Sequence, residues 1–207
     1  MKIVAVLLLL GAVFAAEDQL RKILKSNKET LELYSAFKST EGLNYASSED
    51  RMRFRLFRKS AEDVVNYNEN SDTATFGLNF FSSMTDAERQ QYLGLNITNR
   101  APNAPALKNS GFAAPEKVLW TNLGGVTKVK NQGSCGSCWT FGAVGGLETR
   151  YQIASGVLRN FAEQEYLDCV HPGRDGCKGG WPSDCYTYSR KNGGRLASTA
   201  NYRYQVK

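Results

Sequence analysis

The densest chemistry in this sequence lies between Gln132 and Trp139, where Cys135 and Cys138 stand in a Gly- and Ser-rich segment. Three interpretations compete for this pair. A redox Cys-x-x-Cys motif needs a surrounding βαβ pattern, which the flanking residues do not show. A zinc site needs further ligands at close spacing, and the cysteines that follow stand at intervals unusual for zinc ligands. The third interpretation is a nucleophilic thiol at the start of a helix.

The residues after Cys138 predict the helix that this third interpretation requires. Small and apolar residues run from Trp139 to Tyr151, and they include several glycines. Each glycine costs about 1 kcal/mol relative to Ala, so packing has to hold such a helix together. A thiol at its N-terminus would lie at the positive end of the helix dipole, which favours the reactive thiolate.

The first 16 residues are typical of a secretory signal peptide. Met1 and Lys2 are followed by an apolar stretch, and small residues surround Ala15 and Ala16, the predicted cleavage zone. About 14 apolar residues are too few to span ~30 Å of hydrocarbon, so we expect no membrane span. The rest of the chain would enter an oxidising compartment, where disulfides persist and Asn96 becomes a candidate glycosylation site.

The region between the leader and residue 94 carries no cysteine and has helical periodicity. The pattern predicts one helix over residues 18–39 and a second that Ser47 or Ser48 caps and that runs through Tyr67. Residues 71–79 could form a short strand, and Thr85 or Asp86 caps another short helix.

From residue 96 to residue 115 the chain is rich in Pro and Asn, which predicts an exposed linker. All five cysteines follow that linker. A leader, a cysteine-free helical region and a cysteine-bearing region joined by a cleavable linker together indicate a proprotein.

The cysteine-bearing region resembles the papain-like cysteine proteases. Residues 135–139 carry the family's Cys-Gly-Ser-Cys-Trp signature, and Gln132 precedes it at the family's spacing. Residues 162–169 and 176–182 resemble two further segments of the family. The resemblance implies that Cys138 is the nucleophile and that Gln132 and the Cys138 N–H donate hydrogen bonds to the oxyanion.

Further site residues follow from the same resemblance. Cys135 would pair with Cys177, and Cys169 would join a cysteine just past Lys207, pair with Cys185 or stay free. The implied substrate-binding residues are Gly179, Gly180, Trp181, Pro182 and Trp139. The two glycines would present backbone to an extended peptide, and Trp181 and Pro182 would wall a side-chain pocket.

The helical region resembles the family's inhibitory propeptide, which here would cover residues 17–113. Its first motif lies on one helical face, at Glu49, Arg53, Phe57, Ser60, Val64 and Asn68. Its second motif is Gly77, Asn79 and Phe81, followed by Ser83 where the family has Asp. The loss of that Asp puts the propeptide's salt bridging in doubt. The resemblance implies that the segment blocks the cleft until the linker is cut near residues 111–115.

The family's catalytic His and Asn fall about 130–150 residues beyond the nucleophile, farther than this chain extends. The only histidine is His171, which we expect to be exposed in a loop and not catalytic. The predicted fold is therefore α+β and papain-like, with a helical propeptide and a mainly helical left lobe, the β-rich right lobe being missing. The expected parts are residues 1–16, 17–113 and an incomplete peptidase domain over 114–207.

The expected function is that of a cysteine endopeptidase precursor, or thiol protease zymogen, that hydrolyses peptide or protein substrates. Its expected location is lysosomal, vacuolar or extracellular, and its own propeptide is its inhibitor. The 207 residues as they stand are expected to be inactive. The alternatives are an inhibitor of related proteases and a non-functional truncated product whose half-domain exposes apolar surface.

Cofactors, metals and nucleic acid are not expected. A single histidine excludes a His-x-x-x-His zinc site. The net charge of +6 comes from scattered residues and not from a dense Lys/Arg run, so a solvated basic surface is the better interpretation.

Overall fold

The computed structural model describes residues 13–94, 111, 113 and 115–205, with side chains from Asp18 onward. The chain divides into two compact units, Met1–Arg89 and Gln90–Lys207, which we call the N-terminal and C-terminal units. The start of the predicted signal peptide, the Asn96 sequon and most of the predicted linker lie outside the described residues.

The N-terminal unit is helical. Its helices are α1 (Val13–Leu24), α2 (Asn27–Glu41), α3 (Ser47–Glu69) and α4 (Asp86–Gln90), with a 3-10 turn over Phe80–Ser83 before α4. The prediction of a single helix over residues 18–39 is wrong, because Ser26 interrupts it. The Ser26 Oγ accepts a hydrogen bond from the Glu29 N–H, which makes Ser26 the N-cap of a new helix.

Two further predictions for this unit differ from the structure. Helix α3 begins at Ser47, but Ala46 holds the N-cap position and no side chain caps the helix. Residues 71–79 form no strand. The Asn68 side chain forms hydrogen bonds with both backbone groups of Phe76: it accepts from the N–H at 2.7 Å and donates to the carbonyl at 3.0 Å. Those groups are therefore unavailable to a neighbouring strand.

The core of the N-terminal unit is aromatic. The rings of Tyr34, Phe37 and Phe57 lie between α2 and α3, with centroids 4.8 Å apart for Phe37–Phe57 and 5.2 Å for Tyr34–Phe57. The other buried members of this cluster are Leu20, Ile23, Leu33 and Ala61. Phe57 is completely buried, as expected for a residue on the inward face of α3.

The C-terminal unit contains three longer elements, α5 (Cys138–Ser155), α6 (Glu163–Cys169) and α7 (Pro182–Lys191), and a 3-10 turn at Gly176–Lys178. The predicted helix after Cys138 is confirmed. Among the described residues the only β pairing is a bridge between Phe161 and Ser198. The core cluster contains Cys135, Trp139, Ala143, Val144, Tyr166, Leu167 and Cys185.

A charged cluster lies inside the C-terminal unit. The Lys130 Nζ contacts the Glu148 Oε1 at 2.7 Å and the Glu163 Oε1 at 2.5 Å, and both carboxylate side chains are only 2% exposed. Glu148 also accepts from the Thr127 hydroxyl and from the Phe161 N–H. The buried charges are thus paired and hydrogen-bonded, as burial requires.

The segment from 118 to 129 has neither helix nor strand and exposes large apolar side chains. They are Val118, Leu119, Trp120, Leu123, Val126 and Val129. Such a cluster is typical of a surface that another element or chain covers.

The described residues agree with the predicted fold class, a helical propeptide followed by a mainly helical lobe. None of the helices in the described part of the chain combines the length and the apolar character that crossing a bilayer requires.

Candidate active site

The predicted nucleophile stands at the first position of α5. Ser137 precedes it as the N-cap residue, and its carbonyl accepts from both the backbone N–H and the hydroxyl of Thr140 at 2.9 Å. The Cys138 side chain is partly buried. Cys138 thus stands at the end of α5 where the first backbone N–H groups have no acceptor within the helix.

The turn before α5 is held by a disulfide and by Gln132. Cys135 and Cys177 form the disulfide that the resemblance implied, and the Gly136 N–H donates to the Cys177 carbonyl at 3.0 Å. The Gln132 Nε2 donates to the Cys135 carbonyl at 2.7 Å. The structure therefore brings the predicted oxyanion donor and the nucleophile into one short, cross-linked turn.

Trp139 supports the backbone of Gly180 from beneath. Its indole is 2% exposed and donates from Nε1 to the Gly176 carbonyl at 3.1 Å. A Cβ atom on Gly180 would lie 2.7 Å from the indole ring, so only glycine fits. The burial gives Trp139 a supporting role beneath Gly180, and its expected contact with substrate stays a prediction. Trp181 and Pro182 follow at the start of α7 and are partly exposed.

A stretch of the chain's own backbone lies against these groups. The Gln132 Nε2 donates to the Tyr92 carbonyl at 3.0 Å, and the Gly180 N–H donates to the Gly94 carbonyl at 3.0 Å. Gly94 is buried, and a Cβ atom there would overlap the Gly136 carbonyl. Residues 92–94 are thus bound through backbone carbonyls, in the manner of an extended peptide ligand.

The remaining cysteines are free. Cys169 is partly buried and Cys185 is fully buried, and neither forms a disulfide. The predicted participation of Cys169 in a disulfide is therefore not realised among the described residues. Burial raises the pKa of the Cys185 thiol to about 12, so it is a packing residue of the core and a poor nucleophile.

His171 is not the exposed loop residue that we expected. Its Nε2 lies 3.3 Å from the Asp184 Oδ2, and the two side chains are 24% and 18% exposed. The imidazole also packs against Trp139, with ring centroids 5.7 Å apart. The single histidine is thus anchored by a carboxylate at the start of α7.

The first propeptide motif forms an ionic network on α3. Arg53 is 7% exposed and pairs with Glu49 one turn earlier and with Glu88 on α4. The Arg53 Nη1 also donates to the Ser83 carbonyl at 2.9 Å. Val64 packs against the aromatic core, and Asn68 holds the Phe76 backbone as described above.

The doubt about salt bridging that Ser83 raised is resolved by Glu88. The Arg53 guanidinium lowers the pKa of the Glu88 carboxyl to about 2. Sequence reasoning gave Glu88 no ionic role, although the Thr85-x-x-Glu88 spacing of a capping box was visible. The Thr85 N–H donates to the Glu88 Oε2 at 2.7 Å, and the Glu88 N–H donates to the Thr85 Oγ1 at 3.3 Å.

The second propeptide motif shapes the turn before α4. The Asn79 Oδ1 accepts from the Phe81 N–H at 3.0 Å, and the Asn79 N–H donates to the Ser82 Oγ at 2.9 Å. These reciprocal bonds cap the 3-10 turn. Gly77 has open space around it, and Phe81 is 38% exposed.

The described residues contain no group of three or more His, Cys, Asp or Glu side chains arranged to hold a metal ion. The chemistry that their arrangement offers is that of a thiol beside hydrogen-bond donors. A helix-start cysteine, a glutamine in the preceding turn and a separate helical unit with the two propeptide motifs together define a papain-like cysteine protease precursor.

Comparison with known proteins gives the same family. Residues 114–207 match the papain family cysteine protease domain, and residues 34–88 match the cathepsin propeptide inhibitor domain (I29). The chain belongs to the papain family of cysteine protease precursors.

Several relatives resemble the chain over most of its length. It is 34% identical to a cathepsin L-like proteinase of Phaedon cochleariae, over 99% of this chain and 61% of the relative. It is 35% identical to ananain of Ananas comosus, over 80% of this chain and 49% of the relative. The chain thus spans about half to three-fifths of the length of these relatives.

Solved structures of proenzymes have the same architecture. The digestive procathepsin L2 proteinase from Tenebrio molitor larval midgut matches with a TM-score of 0.75 at 32% identity, over 85% of this chain and 60% of that one. The proform of the ragweed pollen cysteine protease Amb a 11 matches with a TM-score of 0.77 at 29% identity, over 90% and 59%.

Proposed function

We propose that the chain is a zymogen of a cysteine endopeptidase in which Cys138 attacks the peptide carbonyl. The observation that supports this most directly is the binding of residues 92–94 by the Gln132 side chain and the Gly180 N–H. These two donors hold backbone carbonyls of a peptide beside the nucleophile. The substrate would therefore be an extended peptide or protein segment.

The proposed reaction uses the groups of this turn. The thiolate sulfur of Cys138 bonds to the carbonyl carbon, and the carbonyl oxygen becomes an oxyanion. The Gln132 amide and the Cys138 N–H donate to that oxygen, which stabilises the charge. The oxyanion then collapses to a carbonyl, the C–N bond breaks, and the leaving amine takes a proton from an imidazole. Water afterwards hydrolyses the thioester that joins Cys138 to the acyl part of the substrate. His171, the only histidine in these 207 residues, is held by Asp184. We therefore expect no hydrolysis by this polypeptide alone.

The proposed inhibition uses the same donors. While the Tyr92 carbonyl accepts from Gln132, that amide is not free to serve an oxyanion. Cleavage after the helical region, near residues 111–115, would release residues 92–94 from the site. Inhibition and catalysis would thus compete for one set of hydrogen bonds.

A first experiment measures how far residues 92–94 shield the thiol. The rate of Cys138 alkylation by iodoacetamide is followed by mass spectrometry of the Cys138 peptide, in the wild type and in Gly94→Ala. A Cβ at Gly94 cannot fit beside Gly136, so the segment should leave and the rate should rise roughly ten-fold, the factor that about 1.4 kcal/mol of lost binding gives.

The matched control is Gly145→Ala, because Gly145 is exposed, has a negative φ and has open space around it. Its alkylation rate should stay at the wild-type value. Equal rates in all three proteins would show that residues 92–94 do not guard the thiol and would contradict the proposed inhibition.

A second experiment supplies an imidazole. The 207 residues are joined at Lys207 to the corresponding later part of the Phaedon cochleariae relative, and peptidase activity is assayed after limited proteolysis. Activity should appear in the chimera, be absent from the 207-residue polypeptide and disappear in Cys138→Ser. Activity that survives Cys138→Ser would refute the role of Cys138 as the nucleophile.

We place the protein in the secretory pathway, with the lysosome, the vacuole or the extracellular space as its destination. The leader pattern and the Cys135–Cys177 disulfide support an oxidising compartment. Expression in a eukaryotic secretory host should yield a chain that begins at Ala16 or Glu17. An N-terminal sequence that still begins at Met1 would contradict the signal peptide.

The alternative role as an inhibitor in trans has one observation in its favour, namely that residues 92–94 bind to a peptidase-type site. Titration of the intact 207-residue chain against ananain would test it. Inhibition at micromolar concentration, lost on removal of residues 90–94, would support this role. Full ananain activity at that concentration would exclude it.

A further inference from the structure

Tyr204, near the end of the described chain, contacts the turn between Gln132 and Ser137. The Tyr204 hydroxyl lies 2.8 Å from the Gln132 carbonyl oxygen and 2.6 Å from the Ser137 Oγ. A tyrosine hydroxyl has one proton, and the Gln132 carbonyl can only accept. Tyr204 therefore donates to Gln132, and the Ser137 hydroxyl donates to Tyr204.

These two bonds link both ends of one turn. Gln132 opens the turn and Ser137 closes it as the N-cap residue of α5. Ser137 is completely buried, and the Tyr204 ring packs edge-on against Phe141, with centroids 4.9 Å apart. The hydroxyl is thus held in place by an aromatic contact in the first turn of the helix that Cys138 begins.

The side chain of Gln132 is held separately. Its Nε2 donates to the Cys135 and Tyr92 carbonyls, while its backbone carbonyl accepts from Tyr204. Tyr204 is therefore the contact that fixes the main chain from which the Gln132 amide projects. It also fixes the residue whose carbonyl precedes the Cys138 N–H.

We propose that Tyr204 is a positioning residue of the oxyanion hole, which sets the Gln132 amide and the Cys138 N–H relative to each other. This inference rests on the proposed function, because the oxyanion hole has a use only if Cys138 attacks a carbonyl. Burial raises the pKa of the Tyr204 hydroxyl above its usual value, so the hydroxyl keeps its proton for the Gln132 carbonyl at neutral and acid pH.

Two probes of Cys138 separate positioning from simple stability. Iodoacetamide alkylates the thiolate without forming an oxyanion. A small aldehyde, N-acetylglycinal, adds reversibly: the sulfur–carbon bond forms, the C=O π bond breaks, and the thiol proton ends on the new hydroxyl. That oxygen occupies the oxyanion hole, so only the second probe depends on the two donors.

Every protein compared is the 207-residue chain carrying Gly94→Ala, because the Tyr92 carbonyl otherwise occupies the Gln132 amide. Within that background the experiment compares Tyr204→Phe with the wild type at position 204. Iodoacetamide labelling of Cys138 is read from its peptide by mass spectrometry, and aldehyde binding is read as protection of Cys138 from that labelling. We expect aldehyde binding to weaken roughly ten-fold, while the labelling rate in the absence of aldehyde changes less than about two-fold. Ser137→Ala, which removes only one of the two bonds, should show a smaller loss in the same direction.

Tyr202→Phe is the matched control. It removes a hydroxyl two residues away, where Tyr202 donates to the Asp168 Oδ2 at 2.8 Å. Its aldehyde binding should equal that of the wild type. Equal aldehyde binding in Tyr204→Phe and the wild type, or equal losses with both probes, would overturn the role of Tyr204. A wild type that is alkylated at Cys138 but binds no aldehyde would overturn the proposed function itself, and the inference with it.

Discussion

The two units of the chain place their charged groups in opposite ways. In the N-terminal unit an aromatic core holds the helices, and the ion pairs lie at its edge. Arg53 is buried there, but its partners Glu49 and Glu88 are more than a third exposed. In the C-terminal unit the partly buried Lys130 pairs with two nearly inaccessible carboxylates, and a disulfide joins Cys135 to Cys177.

This difference sets how each unit responds to its surroundings. The Arg53 guanidinium lowers the pKa of the Glu88 carboxyl, so the N-terminal unit should lose stability as Glu88 takes up a proton in acid. The C-terminal unit is held instead by buried, paired charges and by a disulfide.

The largest expected effect comes from breaking the buried ionic cluster. Lys130→Met leaves two buried carboxylates without a cation, which should destabilise the C-terminal unit by about 3–5 kcal/mol. The matched change, Lys38→Met, breaks the partly exposed Lys38–Asp50 pair of the N-terminal unit. It should lower the free energy of unfolding of that unit by less than about 1 kcal/mol.

Urea unfolding followed by tryptophan fluorescence tests the Lys130 prediction, because Trp120, Trp139 and Trp181 all lie in the C-terminal unit. Helix content measured by circular dichroism follows the Lys38 variant. Similar losses in the two variants would refute the contrast between buried and partly exposed ion pairs.

The disulfide should have the next largest effect. Cys135 and Cys177 are 42 residues apart in sequence, and opening that loop should cost the C-terminal unit about 3–4 kcal/mol through the entropy of the unfolded chain. The double variant Cys135→Ala/Cys177→Ala, unfolded in urea, measures this cost. The N-terminal unit contains no cysteine, so hydrogen exchange in α2 and α3 should remain unchanged. Faster exchange in those helices would show that the effect of the disulfide is not confined to the C-terminal unit.

The Arg53–Glu88 pair should give a smaller, pH-dependent effect. The pKa of Glu88 is lowered in the folded unit, so its contribution to stability is present above about pH 4.5 and disappears as the pH falls toward 2. Glu88→Gln should lower the free energy of unfolding of the N-terminal unit by about 1–2 kcal/mol at neutral pH. This figure allows for solvent screening, because the Glu88 side chain is 35% exposed.

Hydrogen exchange of α3, corrected for intrinsic rates, measures this pH dependence. In Glu88→Gln the opening free energy of α3 should depend much less on pH between 4.5 and 2 than it does in the wild type. Arg53→Met should lose the same part of that pH dependence. Asp50, whose pKa Lys38 lowers, accounts for the slope that remains. If Glu88→Gln kept the full pH dependence of the wild type, the Arg53–Glu88 pair would not be its source.

The sequence predicted those features that depend on neighbouring residues. Helix α5 follows from the composition after Cys138, and the inward face of α3 follows from the spacing of Arg53, Phe57 and Val64. The break at Ser26 was missed because the apolar periodicity continues across it, while a single capping hydroxyl decides the outcome.

Contacts between distant residues were beyond such reasoning. Glu88 reaches Arg53 across 35 residues, and Tyr204 reaches Gln132 across 72. The residues around Glu88 and Tyr204 do not indicate which distant residue each will contact, because only the folded structure brings the partners together. The anchoring of His171 by Asp184 was missed for the same reason.

The sharing of Lys130 between Glu148 and Glu163 has a consequence for how the C-terminal unit assembles. The three residues come from an irregular segment, from α5 and from α6, and none of them can be buried alone without a large penalty. We therefore expect the three segments to dock together and to open together, so the slowest-exchanging amides of the C-terminal unit should share a single opening free energy.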